Sequence, residues 1–289
     1  MASARTWGEM IKFSHSLFAL PYALLAAFIA AGGVPAAGQL ALVVACMVGA
    51  RSAAMTFNRL VDAELDARNP RTARRPLPAG QITRTAAWGF FAGSSVLFFA
   101  CCALFAVAYA NPWPLWLSPF VLALLCGYSY TKRFTRAAHF VLGVAIGLSP
   151  LAAWIAISPD TLGWTALWLS AAVTFWIAGF DLIYACQDVE FDRRQGLFSV
   201  PAKLGVPAAL WLARGCHVLT VAGLLAAGRS AGLGGLYFAG AGCVALLLLV
   251  ENALVSPRDL SRVNLAFFTV NGVVGVLLGT LGILDICLP

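Results

Sequence analysis

Apolar residues in this chain fall in long runs separated by short polar segments, without the two-residue alternation of a half-buried strand. A helix needs about 20 apolar residues to cross the hydrocarbon of a bilayer. Runs of that length predict nine spans, near residues 13–31, 38–57, 86–109, 113–130, 139–157, 163–182, 206–227, 232–252 and 264–284. The junctions at Asn111-Pro112-Trp113-Pro114 and from Gly228 to Gly235 are short and rich in Gly or Pro, which suits tight helical hairpins. The pattern predicts an all-α, polytopic membrane protein of about nine transmembrane helices, one domain over 1–289.

Composition narrows the reading further. The chain is 61% hydrophobic, and only 11% of it is Asp, Glu, Lys or Arg, against about a quarter in soluble domains. A soluble enzyme, a disordered segment and a disulfide scaffold all require a different balance. The eight cysteines form no Cys-x-x-Cys pair, and most sit inside apolar runs as packing residues. Arg5 and Lys12 ahead of the first run resemble the start of a signal peptide, but the chain goes on crossing, so an uncleaved first span is expected.

Nineteen basic and twelve acidic residues give a net charge of +7. No polar domain exists to display a basic face, so nucleic acid is not an expected partner. With the N-terminus inside, the inner segments collect basic residues from Arg5 to Arg262, and the outer loops hold only Arg229. That asymmetry sets orientation. It implies a bacterial inner (plasma) membrane with the site facing the cytoplasm. Arg51 is left within the second span, seven residues before Asn58 and on its face. Facing lipid there would cost several kcal/mol, so Arg51 is expected to line an interior cavity and bind an anionic group.

Seven of the twelve acidic residues lie in two segments, 58–66 and 181–192, at the inner ends of the second and sixth spans. Asn58, Asp62 and Asp66 are spaced by four, and Asp181, Tyr184, Asp188 and Asp192 by three, four and four. Continuous helices stack each set on one face, where like charges repel. A bound divalent cation relieves that repulsion. Mg²⁺ suits hard oxygen ligands with room for water, and usually binds through one or two carboxylates plus substrate phosphates. Arg74, Lys132 and Arg133 supply cations nearby in sequence, and Mg²⁺ flanked by such groups is what a diphosphate needs. The four-span offset hints at two pseudo-repeated halves, about 1–130 and 131–289, each contributing half of one site.

These residues resemble the UbiA superfamily of intramembrane prenyltransferases, which implies a helical bundle around a central cavity. Asn58, Asp62 and Asp66, with Arg74-Arg75-Pro76-Leu77 and Gly80, are similar to its first signature; Asp181, Tyr184, Asp188 and Asp192, with Gly196 and Ser199, are similar to its second. Ser14-His15-Ser16, Leu20-Pro21 and Tyr128 with Lys132-Arg133 also resemble it. Ser129, where a Pro is common, and Tyr184-Ala185-Cys186-Gln187 resemble the 4-hydroxybenzoate polyprenyltransferase branch or its menaquinone-pathway relative, and leave the acceptor open.

The resemblance implies Mg²⁺-dependent transfer of a polyprenyl chain from polyprenyl diphosphate to a ring carbon of an aromatic carboxylic acid, within the lipid bilayer. It implies catalytic roles for Asp62, Asp66, Asp181, Tyr184, Asp188 and Asp192, with Mg²⁺ held through diphosphate by Asp62, Asp66, Asp188 and Asp192. Arg51, Asn58, Arg74, Lys132 and Arg133 are then the substrate-binding residues, and His15 is a candidate at the inner end of the first span. The acceptor is 4-hydroxybenzoate, or a dihydroxynaphthoate on the menaquinone route. Haem, a glycerol phosphate or a phosphoribosyl acceptor would keep the donor chemistry. A secondary transporter would instead place its acids near the midplane on broken helices.

Overall fold

The protein is described by a computed structural model covering residues 3–12 and 16–288. In chain order its helices are α1 (Ala4–Met10), α2 (Ser16–Ala31), α3 (Ala37–Val61), α4 (Ala63–Arg68), α5 (Arg84–Tyr109), α6 (Trp113–Thr131) and α7 (Ala138–Ile157). They continue with α8 (Trp164–Ala185), α9 (Val189–Arg194), α10 (Val200–Leu204), α11 (Val206–Ala231), α12 (Gly235–Ala253), α13 (Val263–Leu265) and α14 (Asn271–Cys287). A π-turn, Ala266–Val270, joins α13 to α14.

Each expected span coincides with one of these helices or, for the last, with the α13–π–α14 run. Seven segments among the described residues are long and apolar enough to cross a membrane. The other two are α2, whose expected first residues lie outside the described set, and α6, which opens on Trp113-Pro114 and contains Pro119. The count of nine is therefore approximate.

The chain forms two compact units: Met1–Ser16 with Ala41–Tyr130, and Leu17–Leu40 with Thr131–Pro289. In the first, Met10 and Ile11 pack with Leu60, Leu77 and Ile82, and Trp7 stacks on Phe90 at 4.6 Å. This small core pins the loop between α4 and α5 against α1 and the end of α3. In the second unit α8 is central. It packs against α7 and α11, and α12 packs against α11 and α14. The α7–α8 crossing is tight because Gly143 and Gly147 face α8: a Cβ on Gly147 would stand 2.8 Å from the Cα of Thr174. Small residues four apart let spans approach in this way where lipid removes the ordinary hydrophobic drive.

Both acidic segments depart from the continuous helices expected of them. α3 ends at Val61, and Asp62 (φ −93, ψ 4) separates it from the six-residue α4. α8 ends at Ala185, a 3₁₀ turn covers Cys186–Asp188, and Asp188 (φ −104, ψ 8) precedes the six-residue α9. Asp competes poorly inside helices, and this bridge region often hosts active-site residues. The i,i+4 spacing survives the first break, since the Asp62 and Asp66 amides donate to the Asn58 and Asp62 carbonyls at 2.9 and 2.7 Å. After each break the sequence runs Asp-x-Glu-x-Asp-x-Arg, over 62–68 and 188–194. A left-handed glycine then ends each following loop or turn, Gly80 (φ 72) and Gly196 (φ 69), a conformation that a Cβ disfavours.

Candidate active site

The first acidic motif is embedded in a network of cations. Asp62 and Asp66 are buried, at 3% and 6% exposure. Asp66 accepts from Arg75 Nη1 with both oxygens, at 2.7 and 2.8 Å. Arg59 Nη1 lies 3.9 Å from Asp66 and donates to Asn58 Oδ1 at 3.1 Å, while its Nε donates to the Met10 carbonyl. Asn58 Nδ2 in turn donates to Asp62 at 3.2 Å and to the Ser129 hydroxyl at 3.4 Å. Asn58, Asp62 and Asp66 are therefore brought together as the spacing predicts, and the i,i+4 repulsion is relieved in part by arginine.

Of the adjacent pair, sequence reasoning selects Arg74, but the structure leaves Arg74 exposed and sends Arg75 inward. The turn that does this is fixed by Thr72, whose hydroxyl donates to the Asp66 carbonyl at 3.0 Å. Arg59 was read only as part of the inner positive charge. Its position next to Asn58 and eight residues from Arg51, on the same face of α3, is the signal that identifies it.

Arg51 donates from Nη2 to the Lys12 carbonyl at 3.2 Å, and its buried Nε meets no acceptor among the described residues. Lys12, outside the spans, has its pKa pushed below the ordinary lysine value by burial first and then by Arg59, Arg75 and Arg71. Cations that repel one another in this way make a setting suited to an anion. His15 lies outside the described residues.

The second motif sits in the other unit. Asp181 pairs with His139 of α7: Nδ1 lies 2.7 Å from Asp181 Oδ2. The Val200 amide donates to His139 Nε2 at 3.2 Å, so Nε2 is unprotonated and Nδ1–H donates to Asp181. His139 is only 4% exposed, and both of its ring nitrogens are engaged. It was not singled out from sequence, although it is one of three histidines and stands at a span end. Asp192 is hydrogen-bonded by the Ser199 side chain and feels the charges of Asp188 and Lys132. The Phe198 amide donates to the Lys132 carbonyl at 2.7 Å, which ties the Lys132-Arg133 loop to the segment after α9. Lys132, Arg133 and Asp188 are half-buried. Tyr184, one turn before Asp188, lies against Phe267 with ring centroids 4.2 Å apart.

Both motifs offer hard oxygen donors but no all-protein cage: among the described residues no three His, Cys, Asp or Glu side chains group to hold a metal. That donor set fits Mg²⁺, which keeps water and phosphate oxygens among its ligands.

The family model described as the UbiA prenyltransferase family matches residues 19–273. A 4-hydroxybenzoate octaprenyltransferase of Edwardsiella ictaluri (strain 93-146) is 32% identical over 255 residues, 88% of this chain and 86% of that protein. The mitochondrial 4-hydroxybenzoate polyprenyltransferase of Caenorhabditis elegans is 33% identical over 198 residues, 68% of this chain; the match spans about half, 54%, of that relative. The apo structure of a UbiA homologue from Aeropyrum pernix K1 superposes with a TM-score of 0.84 at 34% identity, covering 94% of this chain and 98% of that one. A UbiA homologue from Archaeoglobus fulgidus, solved with DMAPP and Mg²⁺, shares the fold with a TM-score of 0.75 at 18% identity, covering 97% and 99%. On a match extending over most of its length, with apolar helices of spanning length, this integral membrane chain belongs to the UbiA prenyltransferase family.

Proposed function

We propose that this enzyme transfers a polyprenyl group from polyprenyl diphosphate to a ring carbon of 4-hydroxybenzoate in a Mg²⁺-dependent reaction. The inner membrane of a bacterium, with the acidic motifs on the cytoplasmic side, is the setting that the inner basic residues and the bacterial relative support. The observation that carries the reading is the first motif: two buried carboxylates within a network of arginines and one lysine. That combination suits a metal–diphosphate complex, because it supplies ligands for the cation and countercharges for the anion together.

Asp62, Asp66, Asp188 and Asp192 are assigned to hold Mg²⁺ through diphosphate oxygens, with Asn58 supporting the first pair. Mg²⁺ supplies neutralisation of the charge that develops on the departing diphosphate. Lys12, Arg59 and Arg75 neutralise the remainder in the first unit, Lys132 and Arg133 in the second. Asp181, held by His139, fixes the segment that carries Ser199. Tyr184, whose ring face can meet a cation, is assigned to the allylic centre. The free Nε of Arg51 is assigned to an anionic group, the acceptor carboxylate or diphosphate. A dry site is an advantage here, since the allylic cation must meet the ring before it meets water.

The test is a purified protein assayed with radiolabelled prenyl diphosphate against 4-hydroxybenzoate and a dihydroxynaphthoate. A prenylated lipid product forms from 4-hydroxybenzoate with Mg²⁺ and not with EDTA. Product from the naphthoate alone would move the enzyme to the menaquinone route, and no product with any phenolic acceptor would overturn the assignment.

Lys12 gives a pH signature. Its lowered pKa means that the folded protein releases this proton at a lower pH than a free lysine does. A bound diphosphate favours the charged amine. Pyrophosphate affinity should therefore be full below that pKa and should weaken as pH rises through it, in the alkaline range below the ordinary lysine value. Lys12→Arg should flatten the dependence in a calorimetric titration; an unchanged slope would take Lys12 out of the diphosphate pocket.

A further inference from the structure

The π-turn Ala266–Val270 is the most irregular backbone among the described spans, and a buried polar group secures it. Widening one turn removes the usual i+4 partner of a carbonyl. The Asn271 carboxamide replaces it: Nδ2 donates to the Ala266 carbonyl at 3.2 Å and to Glu251 Oε1 at 2.8 Å. Asn271 Oδ1 accepts from Trp176 Nε1 at 2.6 Å. Asn271 is fully buried and uses both hydrogens and its oxygen, so one side chain of α14 is bonded to α8, α12 and the π-turn. The Asn271 carboxamide is thus fully used, which rigidifies its surroundings, while Glu251 Oε2, 4.0 Å from His217 Nε2, has no hydrogen-bond partner among the described residues.

What the node holds is an aromatic wall. Phe267, inside the π-turn, contacts Tyr184 at 4.2 Å, Phe180 at 5.1 Å and Phe18 at 5.9 Å between ring centroids. Trp176, Phe180 and Tyr184 are spaced by four along α8, on one face. Trp176 thus joins the wall by its ring and the node by its N–H. A regular α-helical turn at 266–270 would rotate Phe267 away from Tyr184.

We propose that Asn271 is a positioning residue for the prenyl-transfer reaction: its bonds to Trp176, Glu251 and the Ala266 carbonyl fix the π-turn that seats Phe267 on Tyr184, and the resulting wall keeps water from the allylic cation. This rests on the function proposed above. In the productive step the allylic C–O bond of the donor breaks and its electron pair leaves with diphosphate. The acceptor ring carbon then forms the new C–C bond and releases its ring proton. In the leak, water adds to the same cation, giving the prenyl alcohol and a proton.

The measurement is the ratio of prenyl alcohol to prenylated acceptor, made by the intact purified protein from radiolabelled prenyl diphosphate, Mg²⁺ and 4-hydroxybenzoate. A misplacement of about an ångström can slow a positioned step by about a hundredfold, which raises the share of the cation lost to water. Phe267→Leu and Asn271→Leu should raise the ratio by about tenfold or more with the donor KM little changed, and Trp176→Phe, which removes the N–H and trims the indole to a smaller ring, should raise it as well. If Asn271→Leu does not fold, the other two variants decide. A ratio equal to the parent's in folded Phe267→Leu and Trp176→Phe, with both products falling together, would overturn the wall and leave the functional reading standing. A parent that makes neither product overturns that reading, and the wall with it.

Discussion

Asp62→Asn should lower the rate of prenyl transfer by roughly a hundredfold or more, because the lost charge matters most as diphosphate departs. Folding should be retained. Asp62 lies at the break after α3, where its carboxylate accepts from Asn58, and an asparagine keeps an oxygen there. Asp188→Asn should have a comparable effect, and the double variant should fall well short of the product of the two, as residues acting as a unit do. Asp66→Asn should differ in kind. Its carboxylate balances Arg75 and Arg59 in a buried setting, and breaking such a pair destabilises by about 3–5 kcal/mol. Initial rates with radiolabelled donor, together with thermal stability of the purified protein, separate the cases. An Asp62→Asn enzyme within a few fold of the parent would remove the first motif from the chemistry.

Gly147→Val should destabilise the second unit by overpacking. A Cβ there would stand 2.8 Å from both the N and the Cα of Thr174, and backbone cannot yield as a side-chain tip can. Gly143, one turn earlier, would bring its Cβ 2.5 Å from the Thr174 carbonyl oxygen. Overpacking of this kind costs about 1–3 kcal/mol, and here it would also separate α7 from α8, the helices that carry His139 and Asp181. Tm and prenyl transfer should fall together. Gly127→Val is the comparison, since a Cβ at Gly127 meets nothing within 4 Å. Equal Tm values for the two variants would show that the α7–α8 approach is not limiting.

The spans were legible because lipid imposes a simple demand: long apolar runs, each ending where charge begins. The acidic residues were legible for the converse reason, since so few charges occur in the chain. What stayed hidden depended on choices that spacing does not encode. The breaks at Asp62 and Asp188 follow segments whose side-chain period is that of a continuous helix. Arg74 and Arg75 are adjacent and chemically identical, and only the turn set by Thr72 distinguishes them. Arg59 is one of many basic residues in the inner segments, and charge counting does not single it out. Asn271 and Glu251 stand alone in apolar runs, and Trp176, the donor to Asn271, is 95 residues from it; no local pattern joins them.

Asp285, near the end of α14, accepts hydrogen bonds from the backbone amides of Gly234, Leu236 and Tyr237 at the start of α12. The first turn of α12 therefore depends on a residue made about fifty positions later, 51 from Gly234. Until α14 is made, the exposed amides at this helix start have water rather than Asp285 as their partner. The last span thus works as a clasp on the start of an earlier one, closed only once α14 has been made.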